Sequence, residues 1–246
     1  MMKEGKIFVV GIGPGGRAHM TGAAIEAIER SEAVIGYKTY IDLIIDMISG
    51  KEVLGYGMKR ETERCRAALE LAGEGKTVAL VSSGDCGVYG MAGIMLEIAA
   101  ESGTETDIEI VPGVPAANSA AACLGAPLMH DYATISLSDL LTDWNVIEKR
   151  LECAAQADFV ICLYNPRSKG RREHIEKARN IIMRHRDEST PVGIVHSAMR
   201  DGQSATATTL GEMLSHEIDM LTTVIIGNSK TYTSELGIIT PRGYKL

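Results

Sequence analysis

Short apolar runs alternate with segments of helical spacing through the first half of the chain. Read by period, the runs predict strands at Lys6–Ile12, Ala33–Tyr37, Glu52–Tyr56, Thr77–Ser82 and Asp107–Val111. Between them, Thr21–Arg30, Lys38–Ile48, Glu61–Ala72 and Tyr89–Ala100 carry apolar residues at helical intervals. Thr21 stands where a cap is expected, and Gly73 and Gly75 end the third helix. Strand–helix alternation with short connections predicts a mainly parallel sheet covered on both faces.

The second half repeats this theme less regularly. Strands are expected at Ala133–Leu137, Phe159–Tyr164, Val192–His196 and Thr222–Gly227, with helices at Trp144–Ala155 and Glu173–His185. A hairpin over Lys230–Ile239 would close the sheet, making this half mixed. Two prolines and a glycine interrupt the segment Val111 to Ala122, ahead of an Ala-rich helix. The fold class is therefore α/β with two domains, 1–116 carrying a parallel sheet and 117–246 a mixed one.

Composition narrows the possibilities. The 246 residues are 45% hydrophobic and 23% charged, ordinary for a globular protein. Aromatics make up only 4%, so the cores must be built from Ile, Val, Leu, Ala and Met. The net charge of -7 argues against nucleic acid, which calls for a basic face. Five cysteines without a CxxC pair read as reduced thiols. Six histidines without HExxH or HxxxH spacing give no expectation of a metal site. The sequence shows neither a signal peptide nor a membrane-length apolar run, so the expected location is cytoplasmic.

Two glycine-rich loops carry candidate chemistry. Gly11, Gly13 and Gly16 in GIGPGG formally satisfy the dinucleotide fingerprint GxGxxG. That reading also needs an acidic residue at the end of the second strand to hold the ribose, and the strand ends in Ile35, Gly36 and Tyr37. The second loop, SSGDCGVYGMAG from Ser82 to Gly93, sets Asp85 at the carboxyl end of a strand, where open α/β sheets bind ligands. The alternative is that Asp85 caps the following helix.

GIGPGG, SSGDCGVYGMAG and VPGVPAAN together resemble the tetrapyrrole methylase family, the class III S-adenosylmethionine methyltransferases. The blocks HDYATISLSDLLTDW, LYNPRSK, PVGIVHSAMR and TTVIIGNS resemble the branch that methylates precorrin-3B or cobalt-factor III at C(17) with ring contraction. The resemblance covers nearly the whole chain and departs at Cys86, where proline is usual. It implies S-adenosyl-L-methionine in a cleft between the domains, a tetrapyrrole substrate and a homodimer. For the cofactor it implies Pro14, Ser83, Gly84, Asp85, Val88, Tyr89, Pro115, Ala116, Asn165 and His196, with Gly227 and Asn228 on the adenine side. Another corrin or uroporphyrinogen carbon, or a non-catalytic tetrapyrrole-binding role, are the alternatives.

Ring contraction requires proton movement, and His130 with Asp131 is the first candidate acid–base pair; the equal alternative is that Asp131 caps or ends a turn and His130 is polar surface. A corrin precursor carries many carboxylates, and Arg167, Lys169, Arg171 and Arg172 place four cations in six residues. Arg167, Lys169 and Arg171, with Ser138, are the expected substrate contacts. The alternative is a solvated helix start, although basic charge there opposes the helix dipole.

Overall fold

A computed structural model describes residues 5–168 and 170–245. The chain divides into two compact units, Met1–Ala116 and Ala117–Leu246.

The first unit holds β1 (Lys6–Gly11), β2 (Ala33–Tyr37), β3 (Glu52–Tyr56), β4 (Thr77–Ser82) and β5 (Asp107–Val111). Its helices are α1 (Gly22–Arg30), α2 (Lys38–Asp42), α3 (Glu61–Gly73) and α4 (Ala92–Ser102). The strands form one sheet in the order β3-β2-β4-β1-β5, and every neighbouring pair is parallel. Alternate residues point to opposite faces, so each central strand feeds two cores. Ile7, Val9, Ile35 and Leu80 pack with Cys65 and Ala68 of α3 and Met95 of α4. Phe8, Val10, Val34 and Val81 pack with Ala24, Ala27 and Ile28 of α1 and with Ile41 and Ile44. Each fully buried large aliphatic side chain contributes about 1.5–3 kcal/mol of transfer free energy. Thr21 caps α1 by accepting a 3.1 Å hydrogen bond from the Ala24 amide.

Two helices differ from the periodic reading. The segment expected as one helix over Lys38–Ile48 is α2 followed by a 3-10 turn at Ile45–Met47. The Ile44 and Met47 amides donate to the Ile41 and Ile44 carbonyls three residues back, the bonding of the tighter coil. Helix α4 begins at Ala92, because residues 83–91 remain a loop with Tyr89 at φ 55°.

The second unit opens with α5 (Ala116–Leu124), whose first residue closes the preceding unit, and the short β6 (Gly125–Ala126). Then come β7 (Tyr132–Ser136), α6 (Trp144–Gln156), β8 (Val160–Tyr164), α7 (His174–Ile182), β9 (Pro191–His196), β10 (Ser204–Thr209) and β11 (Thr222–Ile226). The sheet order is β10-β9-β11-β8-β7. Strand β7 is parallel to β8, whereas β11 is antiparallel to both β8 and β9, and β10 is antiparallel to β9. Strands β7, β8 and β9 therefore run one way, and β10 and β11 the other. Helices α6 and α7 cover one face through Leu151, Ala155, Ile175 and Ile182. Helix α5 packs its Ala117, Ala120 and Leu124 on the other.

Strand β10 escaped the periodic reading because SATATT has no large apolar residue, as befits a sheet edge. The expected hairpin forms as β12 (Tyr232–Ser234) and β13 (Gly237–Ile239), but it does not close the main sheet. It pairs with β6 in a separate three-stranded sheet. Gly237, at φ 120°, permits this, since a Cβ there would lie 2.3 Å from the Leu124 carbonyl oxygen. Among the described residues no helix is long and apolar enough to cross a membrane.

Candidate functional site

In the first unit β1 and β4 are parallel neighbours, with Gly11 beside Ser82 at their carboxyl ends. The loops that follow stay together. The Gly13 amide donates to the Gly84 carbonyl at 3.0 Å, and the Gly84 amide donates back to Gly13 at 2.7 Å. Gly13 and Gly84 have φ of 61° and 69°, a region that glycine enters without penalty. The loop after β5 joins them through Asp85, whose Oδ1 accepts from the Gly87 amide at 2.8 Å and Oδ2 from the Gly113 amide at 3.0 Å. Asp85 does not cap α4, whose N-cap position is Met91. A Cβ on Gly113 would lie 2.3 Å from the Gly84 oxygen and 2.4 Å from the Gly11 oxygen. Three backbones thus meet at a spacing that excludes a side chain.

Pro14 is buried, Ser83, Pro115 and Ala116 are half-buried, and Val88 and Tyr89 are exposed on the second loop. All of them belong to these loops or directly follow them, so the sheet edge gathers the expected residues of this unit. Cys86 is buried beneath, donating its thiol to the Val9 and Val111 carbonyls at 3.2 and 3.3 Å. Burial, with Asp85 nearby, pushes its pKa up to about 11, so it is a neutral thiol at pH 7. It fills the usual proline position as a small structural residue.

In the second unit the carboxyl ends of β7, β8 and β9 share one edge. Asn165, at φ 50°, donates from Nδ2 to Ser136 Oγ at 3.0 Å, and the Ser138 amide donates to the same oxygen at 3.2 Å. His196 pairs with Thr222 at the start of β11, and its Nε2 lies 3.4 Å from Asp219 Oδ2. Ser138, Asn165 and His196 are thereby brought to one edge. Beside them Asp139 Oδ2 meets His174 Nε2 at 2.9 Å, and this hydrogen bond holds the Asp139 carboxyl below its ordinary pKa of 3.8 despite some burial.

The structure does not bring His130, Asp131, Gly227 and Asn228 to that edge. Val160, the first residue of β8, donates its amide to the Asp131 carbonyl, which places His130 and Asp131 before the start of β7. Crossing from Tyr132 to Ser136 takes four steps of about 3.3 Å, roughly 13 Å in all. Gly227 and Asn228 follow the end of β11, but β11 runs backwards, so its end lies beside the starts of β8 and β9. These four residues therefore lie at the end of the strands opposite Asn165 and His196. Instead, His130, Asp131 and Asn228 line a separate hollow of about 460 Å³ with Asp158 and Lys230. Asn228 Oδ1 accepts from the Lys230 amide and the Thr231 hydroxyl at 3.0 and 3.1 Å, which makes it a turn-forming residue.

The basic cluster also divides. Arg167 and Arg172 are exposed, and Lys169 lies outside the described residues. Arg171 is buried, and its Nη1 donates to the Leu137 and Asn165 carbonyls at 3.0 and 3.1 Å. Its guanidinium holds two loops in place in this conformation, where direct substrate contact had been expected. Asp219 was missed by sequence reasoning, since only the reversed direction of β11 brings it beside His196. Gly113 had a visible signal in VPGVP, though the close approach it serves was not legible there. Among the described residues no group of three His, Cys, Asp or Glu side chains could hold a metal ion.

A family model of tetrapyrrole (corrin/porphyrin) methylases matches residues 6–214. A probable cobalt-factor III C(17)-methyltransferase of Salmonella typhimurium is 51% identical, over 97% of this chain and 99% of its own length. A cobalt-factor III methyltransferase of Priestia megaterium is 50% identical over 98% of this chain, which spans only 46% of that longer protein. The crystal structure of the methyltransferase CobJ superposes with a TM-score of 0.91 at 33% identity, covering 96% of this chain and 100% of that one.

Proposed function

From the premise that the chain belongs to the tetrapyrrole (corrin/porphyrin) methylases, we propose that it methylates a corrin precursor at C(17), using S-adenosyl-L-methionine. The substrate is cobalt-factor III or precorrin-3B, the macrocycle contracts in the same reaction, and the product enters cobalamin biosynthesis. The observation that carries this reading is the double hydrogen bond between Gly13 and Gly84, which joins two glycine-rich loops at the carboxyl edge of a parallel sheet. The residues fit a donor of this shape. Gly13, Gly16 and Gly84 all have positive φ, and around Gly16 a Cβ would meet nothing within 4 Å, leaving bare backbone for a ligand to approach.

When bound, the sulfonium donor supplies both the methyl group and its own leaving group. The chain's work is chiefly alignment, which can contribute several kcal/mol when the reacting atoms are held in line. Pro14, Ser83, Gly84, Asp85, Val88, Tyr89, Pro115 and Ala116 would hold the donor, Asp85 by fixing the loops around it. On the second unit, Ser138, Asn165 and His196 would face the ligands, with Arg167 and Lys169 pairing the substrate's carboxylates. His196, beside Asp219, is the better-placed group for moving a proton, since His130 and Asp131 lie at the other sheet edge. The same reading carries a cytoplasmic homodimer, which sedimentation and cell fractionation would check.

Calorimetric titration with S-adenosylhomocysteine and with NAD tests the proposal. S-adenosylhomocysteine is expected to bind and NAD to give no heat, and the opposite result would end it. Mass spectrometry of the product from cobalt-loaded and metal-free substrate then separates the two acceptors.

A further inference from the structure

One recess in the first unit is not used by the reading above. Tyr40, Glu61, Arg64, Ser82, Ser83 and Tyr89 are among the residues that line a hollow of about 130 Å³ at the carboxyl end of β4. Arg64, on α3, is 5% exposed, and Ser82, the last residue of β4, is 4% exposed. Arg64 Nη2 donates to Glu61 Oε1 at 3.0 Å and to Met91 Sδ at 3.5 Å. Arg64 Nε and Ser82 Oγ are both buried with no hydrogen-bond partner.

A buried donor without a partner is costly, by about 1–3 kcal/mol and more for a charged group, and native proteins rarely leave one unexplained. Here two such donors belong to residues that line the same recess. Glu61 engages Nη2 only and is itself half-exposed, so it does not satisfy the Nε side of the guanidinium. A guanidinium edge with a neighbouring hydroxyl matches the planar, two-oxygen acceptor of a carboxylate. The recess adjoins Ser83 and Tyr89 on the second glycine-rich loop, so a ligand seated on that loop could reach it.

We infer that the Arg64–Ser82 recess is a carboxylate subsite, completed when a ligand carboxylate accepts from Arg64 Nε and Ser82 Oγ. On the function proposed above, two carboxylates are available: that of the donor's amino-acid portion and those on the rim of the tetrapyrrole. Water alone would occupy the recess without discriminating among ligands.

The Arg64 Nε–H resonance, followed by nitrogen-edited NMR, reports directly on the unpartnered donor. Sodium acetate alone is expected to shift it saturably. Ser82→Ala should weaken that response about fivefold, the loss of one hydrogen bond, without lowering the melting temperature. Arg64→Gln should abolish acetate binding, and the serine variant carries the test if the glutamine variant does not fold. Displacement of acetate by S-adenosylhomocysteine assigns the subsite to the donor, and displacement by cobalt-factor III assigns it to the macrocycle. An acetate response with which neither ligand competes supports a carboxylate subsite that lies apart from the donor and the macrocycle. No response to acetate or to either ligand overturns the subsite, while S-adenosylhomocysteine calorimetry on the same sample judges the methyltransferase reading separately.

Discussion

Asp85 accepts a 3.0 Å hydrogen bond from the amide of Gly113, a residue 28 positions further along the chain. Its other oxygen holds Gly87, so one carboxylate clamps the loops after β4 and β5. Asp85→Ala is expected to lower stability by about 1.5–3 kcal/mol, as charge-assisted bonds are lost, and to weaken S-adenosylhomocysteine binding. Asn should not rescue, because its NH2 group would face a backbone N–H. Thermal melts and calorimetry on the two variants check this, and a wild-type melting temperature in the alanine variant would show that the clamp is dispensable.

Gly113→Ala should also be destabilising, by a different route. Its methyl would have to displace the Gly84 and Gly11 backbones, which cannot move as a flexible side chain would. Overpacking of this kind costs typically 1–3 kcal/mol, and here it would also separate the loops. Urea denaturation with a Gly57→Ala control, where a Cβ meets nothing within 4 Å and φ is, as at Gly113, not positive, isolates the steric part.

Arg171 and Arg167 should behave differently although they are four residues apart. Arg171→Ala leaves the Leu137 and Asn165 carbonyls without their buried donor and is expected to cost about 3 kcal/mol. Arg167 is exposed, so Arg167→Ala should leave the melting temperature unchanged and weaken tetrapyrrole binding. Absorbance titration with cobalt-factor III, alongside thermal melts, distinguishes the two roles.

Asp139 gives an acid-side signature. Its folded pKa lies below 3.8, chiefly through the hydrogen bond with His174, with Arg171 adding a favourable charge. A depressed carboxyl pKa contributes stability that is fully present above the unfolded value and lost as pH falls through the folded one. The stability difference between wild type and Asp139→Asn should therefore be largest near neutrality and shrink below pH 3.8. Urea melts across that range would show it, and a pH-independent difference would remove the ion pair from the account.

Thiol reactivity should follow burial. Burial raises Cys65 and Cys86 to about 11 and Cys162 to about 12, whereas Cys153 is exposed and Cys123 half-buried. Iodoacetamide at about pH 8 is expected to modify Cys153 first and to spare the three buried thiols until the protein unfolds. Peptide mapping reads this directly. Early alkylation of Cys86 would mean that the loop above it opens.

Much of the first unit was legible because the central strands β1, β2 and β4 are nearly continuous apolar runs and the connections leave only a parallel order. The Thr21 cap and both glycine-rich loops could be read residue by residue, but the Gly13–Gly84 pairing needed the strand order that makes β1 and β4 neighbours. In the second unit the same signals gave elements without directions. A pattern of period two is unchanged when a strand is reversed, so Thr222–Gly227 is recognisable as a strand while the direction that carries Gly227 and Asn228 to the opposite end is not. Arg171 was misread for a related reason. A run of four cations looks uniformly solvated in sequence, and only the bend at Asn165 turns one of them inward. Strand β10 was missed because alternating threonine and alanine carry too little apolar contrast.

The reversal of β11 also gives the second unit two ends with unequal obligations. Asn165 is tied to Ser136 and Arg171, and His196 to Asp219, so a change in one shifts its partners. The far end, where His130 and Lys230 border an open hollow, carries no such constraint from the proposed chemistry. That end is where the fold offers room for a tag, a labelled loop or a tethered companion protein while turnover continues at the other.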